Sequence, residues 1–230
     1  MKYADDTALI SRLKNKFSLF HYCLQIYMLN DWFKSTFLEL NVSKTKKLIF
    51  GSRNDNDRCK QIVELNGQKV EVVDSFKYLG TVVDQKLTFT QHVDFKKAQQ
   101  RLFLLRTLKH FGVSQGILEM VYRRLIESIL ASNIVTWFGV LTVRNKARLS
   151  RVVNTAIKVT GCRQVPLSDV YAKATKRKAS QIIADSAHPL HPLIRRLPSG
   201  RRFRVPLARK NSCKKSFIPS VVAILNANSF

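Results

Sequence analysis

Two adjacent carboxylates near the start of the chain, Asp5 and Asp6, have the chemistry of a metal site. They follow Tyr3 and Ala4 and precede a short apolar run, so the spacing predicts a tight turn beside a strand. Carboxylate oxygens are the ligands that Mg²⁺ prefers, and paired ions activate an attacking hydroxyl and hold leaving phosphates. From these residues alone, an acidic segment in solvent that holds no metal remains open as the alternative.

The other residues with obvious chemistry are cations, and they are unevenly distributed. The 230 residues contain 40 Lys and Arg against 15 Asp and Glu, which gives a formal net charge of +25. Residues 1–100 hold 16 basic and 11 acidic side chains, whereas residues 101–230 hold 24 and 4. This surplus favours a polyanionic partner, with nucleic acid ahead of an anionic membrane.

The densest run of positive charge lies near the end of the chain. Nine Lys or Arg residues and no acid fall between positions 195 and 215, which predicts an irregular basic tail. Phe203 lies within this run, and we expect it to be exposed and able to stack on an unpaired base. The alternative is a phenylalanine without a binding role in a disordered basic tail. The candidate nucleic-acid-binding residues are Arg195, Arg196, Arg201, Arg202, Phe203, Arg204, Arg209 and Lys210.

Cysteine spacing and hydropathy restrict the compartment. The four cysteines form no C-x-x-C pair, so a disulfide framework is not predicted and a reducing intracellular compartment, cytoplasm or nucleus, fits best. The longest uncharged stretch, residues 128–143, is shorter than the ~20 apolar residues that a spanning helix needs. We therefore expect no membrane association.

The elements that must position these residues change in type along the chain. Apolar residues recur at helical spacing in residues 16–38, and strand patterns follow, including a hairpin signal at Asn66-Gly67 and a bend at Gly80. Beyond position 90 the period becomes helical, with one helix predicted to end at Gly161. The sequence predicts an α+β chain with β-hairpins in residues 1–90, a helical bundle in residues 91–190 and the basic tail in residues 191–230.

Three segments in a fixed order carry a family resemblance. They are Tyr3-Ala4-Asp5-Asp6, then the turn Leu40-Asn41-Val42-Ser43-Lys44 before a strand, then Phe76-Lys77-Tyr78-Leu79-Gly80. In this order they resemble the C-terminal part of the reverse transcriptase of LINE-type (non-LTR) retrotransposons, an RNA-directed DNA polymerase. The resemblance covers nearly the whole chain and implies a palm remainder, a helical thumb and a basic C-terminal region.

The resemblance also implies roles for particular residues. Asp5 and Asp6 match the Mg²⁺-binding aspartates of the family, and Lys44 matches a lysine that can protonate the pyrophosphate leaving group. The hairpin formed by Phe76, Lys77, Tyr78, Leu79 and Gly80 matches the primer grip, where Gly80 permits close approach of a phosphate. For Lys44 a solvated turn lysine remains the alternative, and for Gly80 an ordinary buried turn. The implied partners are RNA and RNA–DNA hybrid.

The sequence also departs from the family. The palm of the family has a further catalytic aspartate on a strand well before the Tyr-x-Asp-Asp hairpin, and fingers residues that grip the nucleotide. The present sequence starts two residues before Tyr3, so we expect a truncated remnant with weak or no Mg²⁺ binding and no polymerase activity alone.

Two other functions stay open at this stage. Residues 95–140 also resemble the N-terminal segment of the eighth AlkB homologue, a tRNA-modifying protein with 2-oxoglutarate dioxygenase chemistry. His92-Val93-Asp94 has the His-x-Asp form of such an iron site, although a helix cap or surface pair is the favoured interpretation. The other alternative is a non-enzymatic helical domain that binds a protein partner.

Overall fold

The computed structural model describes residues 2–3, 6–13, 15–50, 63–92, 95–208 and 211–227. The chain divides into two compact units, one formed by Met1–Tyr78 with Asp84–Lys86 and the other by Leu79–Val83 with Leu87–Phe230. Small sheets dominate the first unit and helices the second, so the predicted α+β class is confirmed.

The first unit contains one long helix and several short strands. Helix α1 (Lys16–Ser35) begins with a capping box, in which the Asn15 side chain accepts from the backbone N–H of Ser18 and the Ser18 hydroxyl accepts from the backbone N–H of Asn15. The predicted Asn66-Gly67 hairpin is confirmed, since both residues have positive φ angles, as a two-residue primed turn requires. The elements are α1 (Lys16–Ser35), β1 (Lys2–Tyr3), β2 (Asp6–Thr7), β3 (Lys46–Leu48), β4 (Glu64–Leu65), β5 (Gln68–Lys69), β6 (Glu71–Val73) and β7 (Ser75–Tyr78).

Strand pairing in this unit is local except in one place. Strand β1 pairs antiparallel with β2, and β4 pairs antiparallel with β5. Strand β3 instead pairs in parallel with β6, placing Lys46 opposite Glu71, and the two side chains form a 2.6 Å salt bridge.

One apolar face of α1, the face that carries Phe17, Phe20 and Leu24, is exposed, whereas Phe33 on another side of the helix is buried. Its helical spacing predicts burial, yet Phe17 is 77% and Tyr27 69% exposed, and Phe20, Leu24 and Met28 are exposed as well. Among the described residues of this unit the buried apolar side chains are Phe33, Leu65 and Val70. The pattern correctly predicts the helix, but it does not predict which apolar side chains of the helix are covered.

The second unit is built on helices. Strand β8 (Thr81–Asp84) precedes the helices; its last residue, Asp84, belongs to the first unit. After β8 the chain enters a nearly continuous helical run. The elements are α2 (Phe95–His110), α3 (Gln115–Val121), a π-helical segment (Tyr122–Glu127), α4 (Ser128–Ala131), α5 (Ile134–Trp137), α6 (Val143–Thr160), α7 (Leu167–Ala184), a 3₁₀ turn (His191–Leu193), α8 (Asn211–Lys214) and α9 (Phe217–Ala227).

Helix α6 illustrates how local sequence sets these elements. Its first turn is capped by Thr142, whose hydroxyl accepts from the backbone N–H of Asn145, and it ends at Gly161 in the left-handed conformation, as predicted. One face is apolar and packs against α2. The main core of the unit gathers Leu105, Tyr122, Ile126, Trp137, Leu141, Leu149 and Ala156, each at most 2% exposed.

A second, smaller core holds the C-terminal residues in place. Val221 and Val222 of α9 are fully buried against Ala179 and Ile182 of α7, together with Ile194 and Phe203. The segment expected to be irregular therefore ends in a packed helix. Pro219 is tolerated there because it lies in the first turn of α9, where the backbone N–H has no helical partner.

Candidate nucleic-acid interface

The predicted tight turn at the acidic pair includes residues that lie outside the described part of the chain. The strands on either side of it are described, and Tyr3 of β1 lies opposite Asp6 of β2. Asp6 is exposed, while Asp5 lies outside the described residues. Within the described ranges, no three His, Cys, Asp or Glu side chains gather into a group that could hold a metal.

Lys44 is exposed at the tip of a side-chain-stabilised turn. The carboxamide oxygen of Asn41 accepts from the Lys44 backbone N–H at 3.0 Å, and the Asn41 carbonyl accepts from the N–H of Thr45. This turn, closed by the Asn41 side chain, leads directly into β3. Lys44 is therefore presented to solvent by a defined backbone.

The turn between β7 and β8 has the geometry of a primed hairpin turn. Leu79 and Gly80 both have positive φ angles, 46° and 81°. Lys77, Leu79 and Gly80 are exposed, whereas Phe76 and Tyr78 are half-buried. Apart from its chain neighbours, no described atom lies within 4 Å of the place where a Cβ on Gly80 would stand. The alternative interpretation of Gly80 as a buried turn does not agree with this exposure.

The strand after this turn is fixed to the helical core. The amide nitrogen of Asn133 donates to the Thr81 hydroxyl at 2.8 Å, and Asn133 adopts a left-handed backbone to do so. The Val82 N–H donates to Nδ1 of His92, whose ring stacks edge-on against Trp137 at 5.3 Å. These contacts hold the start of β8 rigidly.

His92 therefore has a packing role. Burial lowers the pKa of His92, and its Nδ1 already accepts from the backbone N–H of Val82. Asp94 lies outside the described residues. His188, further along the chain, likewise uses its Nδ1 to accept a hydrogen bond, from the backbone N–H of Leu190.

The sequence analysis missed a cationic stripe along α6. Arg144, Arg148, Arg151 and Lys158 recur at helical spacing, all are exposed, and α6 contains no acidic residue. From Arg144 to Lys158 the stripe runs about 21 Å, at 1.5 Å per residue. The spacing is present in the sequence, although positive charge is denser near position 200.

Lys146 lies beside the stripe in a cation-rich environment. Its ammonium sits 5.0 Å from the centre of the Phe138 ring. Burial lowers the pKa of Lys146, and the nearby charge of Lys215 lowers it further. The same region thus collects positive charge from α6 and from the segment that precedes α9.

Residues 195–204 form a hairpin of arginines. The Arg204 N–H donates to the Arg195 carbonyl and the Leu197 N–H donates to the Arg202 carbonyl, both at 2.7 Å. Between these pairs, Arg196 lies opposite Phe203. The five predicted arginines in this range are exposed, while Arg209 and Lys210 lie outside the described residues.

The expectation that Phe203 is exposed is wrong. Its side chain is 8% exposed because it inserts into the smaller core, and the Arg196 guanidinium lies 5.1 Å from the ring centre. The side-chain amide of Asn226, from α9, bonds both backbone groups of Phe203. Sequence gave no sign of this contact, which joins residues 23 positions apart.

Comparisons with known proteins give two partial similarities. A family model described as alkylated DNA repair protein alkB homolog 8, N-terminal, matches residues 90–128, a stretch that includes α2, α3 and the π-helical segment. The RNA-directed DNA polymerase from mobile element jockey of Drosophila melanogaster is 32% identical over 93 residues. That match covers 40% of this chain and 10% of the relative, so the chain spans a small part of the relative's length.

Solved structures provide no match to this chain. Throughout the ranges that the structure describes, no helix combines the length and the apolar character required to cross a membrane.

Proposed function

We propose that this chain is a C-terminal portion of a non-LTR-type reverse transcriptase and that it binds RNA and RNA–DNA hybrid through their phosphates. The similarity to the jockey polymerase supports the family, and the order of the three sequence segments agrees with it. In this proposal the first unit corresponds to the palm remainder and the helices of the second unit to the thumb.

The observation that carries nucleic-acid binding is the cationic stripe of α6. Arg144 and Arg148 lie four residues apart and Arg148 and Arg151 three apart, so like charges are neighbours on one face. Such pairs destabilise an isolated helix by a few tenths of a kcal/mol each. A phosphate backbone offsets that repulsion and releases counterions when the arginines bind it.

The primer-grip assignment of Phe76, Lys77, Tyr78, Leu79 and Gly80 is part of the proposal. The exposed turn at Leu79 and Gly80 has room for a backbone phosphate, and Thr81 and Val82 fix the strand that follows it. In this assignment Lys77 binds a phosphate of the nucleic acid backbone, and Gly80 allows that backbone to approach the turn closely.

Asp5, Asp6 and Lys44 keep the catalytic roles implied by the resemblance, with Mg²⁺ on the carboxylates. We propose that the 230-residue polypeptide does not polymerise by itself, because two adjacent carboxylates cannot position two octahedral ions without a further aspartate. Nucleic-acid binding is then the biochemical capacity that this polypeptide retains.

A second candidate function, binding of a protein partner, is favoured by exposed apolar residues on α2, on α3 and in the turn between them. Phe103, Phe111 and Met120 are at least 60% exposed, and Leu104 and Ile117 are exposed beside them. These residues lie within the stretch that matches the AlkB-homologue model. Apolar docking depends weakly on salt, whereas phosphate contacts weaken steeply, so salt dependence separates the two.

The proposal is tested by neutralising the stripe. A variant carrying Arg144→Gln, Arg148→Gln and Arg151→Gln should bind a short RNA–DNA hybrid more weakly, with the log–log salt slope shallower by roughly 2 to 3. The matched control removes three exposed lysines of the first unit, Lys34→Gln, Lys69→Gln and Lys86→Gln, with the same loss of charge. Equal losses of hybrid affinity in both variants would show that net charge alone governs binding and would contradict a specific interface on α6.

A further inference from the structure

The arginine hairpin of residues 195–204 is stabilised by its own backbone hydrogen bonds and by hydrogen bonds from Asn226 of α9. In the pair formed by Arg196 and Phe203, the backbone groups of each residue point away from the other strand. On the Phe203 side, the Asn226 carboxamide accepts from the N–H at 2.8 Å and donates to the carbonyl at 3.0 Å. The Asn226 side chain thereby makes the two hydrogen bonds that a neighbouring strand would otherwise make to Phe203.

The two faces of the hairpin differ in what they present. Phe203 and Arg196 share one face, where the ring enters the smaller core and the guanidinium covers it. Because side chains alternate along a strand, Arg195, Arg202 and Arg204 share the other face. All three are exposed, so the hairpin directs an arginine cluster away from the core.

This cluster is electrostatically unfavourable by itself. Arg195 and Arg204 are directly opposite each other, and like charges in that position destabilise a strand pair. Residues 186–230 contain no Asp or Glu. Backbone hydrogen bonds and the buried Phe203 ring thus place three arginines on one face of the hairpin, in a segment whose sequence contains no Asp or Glu.

We propose that the arginine hairpin is a preformed docking element for double-stranded nucleic acid and that Asn226 is its positioning residue. This inference rests on the proposed nucleic-acid binding and adds the form of the ligand. A duplex presents phosphates at fixed spacing, which a rigid cluster can match without ordering its arginines upon binding.

The burial of Phe203 favours a duplex over a single strand. Binding of single strands relies on exposed aromatic side chains that stack on bases. Phe203 is the one aromatic residue between positions 195 and 208, and its ring is enclosed between the core and Arg196. The hairpin therefore offers phosphate contacts and no stacking surface.

The test compares a blunt RNA–DNA hybrid with a single-stranded RNA of the same length, using the full chain. Asn226→Ala keeps every cation but removes both hydrogen bonds to Phe203. We expect it to weaken hybrid binding by roughly tenfold, because the three arginines must then be ordered on binding, and to change single-strand binding much less. Gln181→Ala, at an exposed position on α7, is the control and should bind like the unaltered chain.

A second variant covers the case in which Asn226→Ala disturbs α9. Arg195→Gln, Arg202→Gln and Arg204→Gln together change exposed side chains only, and they should flatten the salt slope for the hybrid by roughly 2 to 3. If the unaltered chain binds the hybrid while folded Asn226→Ala binds it equally well, or if the triple variant weakens both ligands equally, the preformed hairpin is wrong and the proposed function stands. If the unaltered chain binds neither ligand, the proposed function fails as well.

Discussion

The carboxamide of Asn226 pairs with both backbone groups of Phe203, at 2.8 Å and 3.0 Å. A buried backbone N–H or carbonyl without a partner costs about 1–3 kcal/mol, so this pairing stabilises the burial of Phe203. The consequence for function is that the most basic part of the chain is displayed on a packed framework. Five exposed arginines lie in the same hairpin as this residue.

Gly139 is expected to be intolerant of a side chain. A Cβ there would stand 2.6 Å from the Lys215 carbonyl and 2.8 Å from the Tyr171 hydroxyl, so the backbone before α9 has to move. Gly139→Ala should lower the free energy of unfolding by roughly 1–3 kcal/mol in urea titrations. Gly116→Ala is the control: it lies in α3 with open space around it and should raise stability by roughly 0.5–1 kcal/mol. A neutral Gly139→Ala variant would refute the close packing of α9 on this glycine.

His92 makes stability depend on pH. Burial lowers its folded-state pKa below the ordinary value of 6.5, so the unfolded chain binds the proton more readily. The contribution of neutral His92 is complete above pH 6.5 and is lost as the pH falls through and below that value. His92→Gln, which keeps an acceptor for Val82, should reduce the loss of melting temperature between about pH 7.5 and about pH 5. An unchanged pH profile would contradict this role.

The two units should differ in local stability. The first has strands of two to four residues and an exposed apolar face on α1, whereas the second has an extensive buried core. Amide hydrogens in the described part of residues 2–90 should therefore exchange faster than those in residues 95–160, as measured by mass spectrometry. Equal protection in the two regions would indicate that the first unit is as stably packed as the second.

The proposed absence of catalysis is tested by primer extension. The 230-residue polypeptide should not extend oligo(dT) on poly(A) with Mg²⁺ or Mn²⁺, because two adjacent carboxylates do not complete a two-metal centre. Extension that is abolished by Asp5→Ala would overturn this expectation and show that the acidic turn is catalytic as it stands.

Sequence was most informative where structure is decided locally. The turn at Asn66-Gly67 and the end of α6 at Gly161 follow from backbone preferences of those residues. Helix α1 was likewise predicted from its period, but the pattern cannot state whether a partner covers the apolar face.

The failures concern residues brought together from distant positions. Phe203 lies among arginines in sequence, and composition alone indicated an exposed aromatic. Its burial depends on α7 and α9, and on Asn226, 23 residues away. The arginine stripe of α6 was accessible from its spacing, since Arg144, Arg148 and Arg151 follow the helical period. The site residues near the acidic turn remain predictions.

The central claim is that the exposed cations of the second unit bind a nucleic-acid backbone. The most direct measurement is the dissociation constant for an RNA–DNA hybrid, followed by fluorescence anisotropy from about 50 mM to about 500 mM salt. If six to eight phosphates are contacted, log K should fall against log salt with a slope of roughly −5 to −7, and replacing the sequence of the hybrid should change affinity little. Affinity that stays constant across this range would contradict the claim and favour a protein partner on α2 and α3.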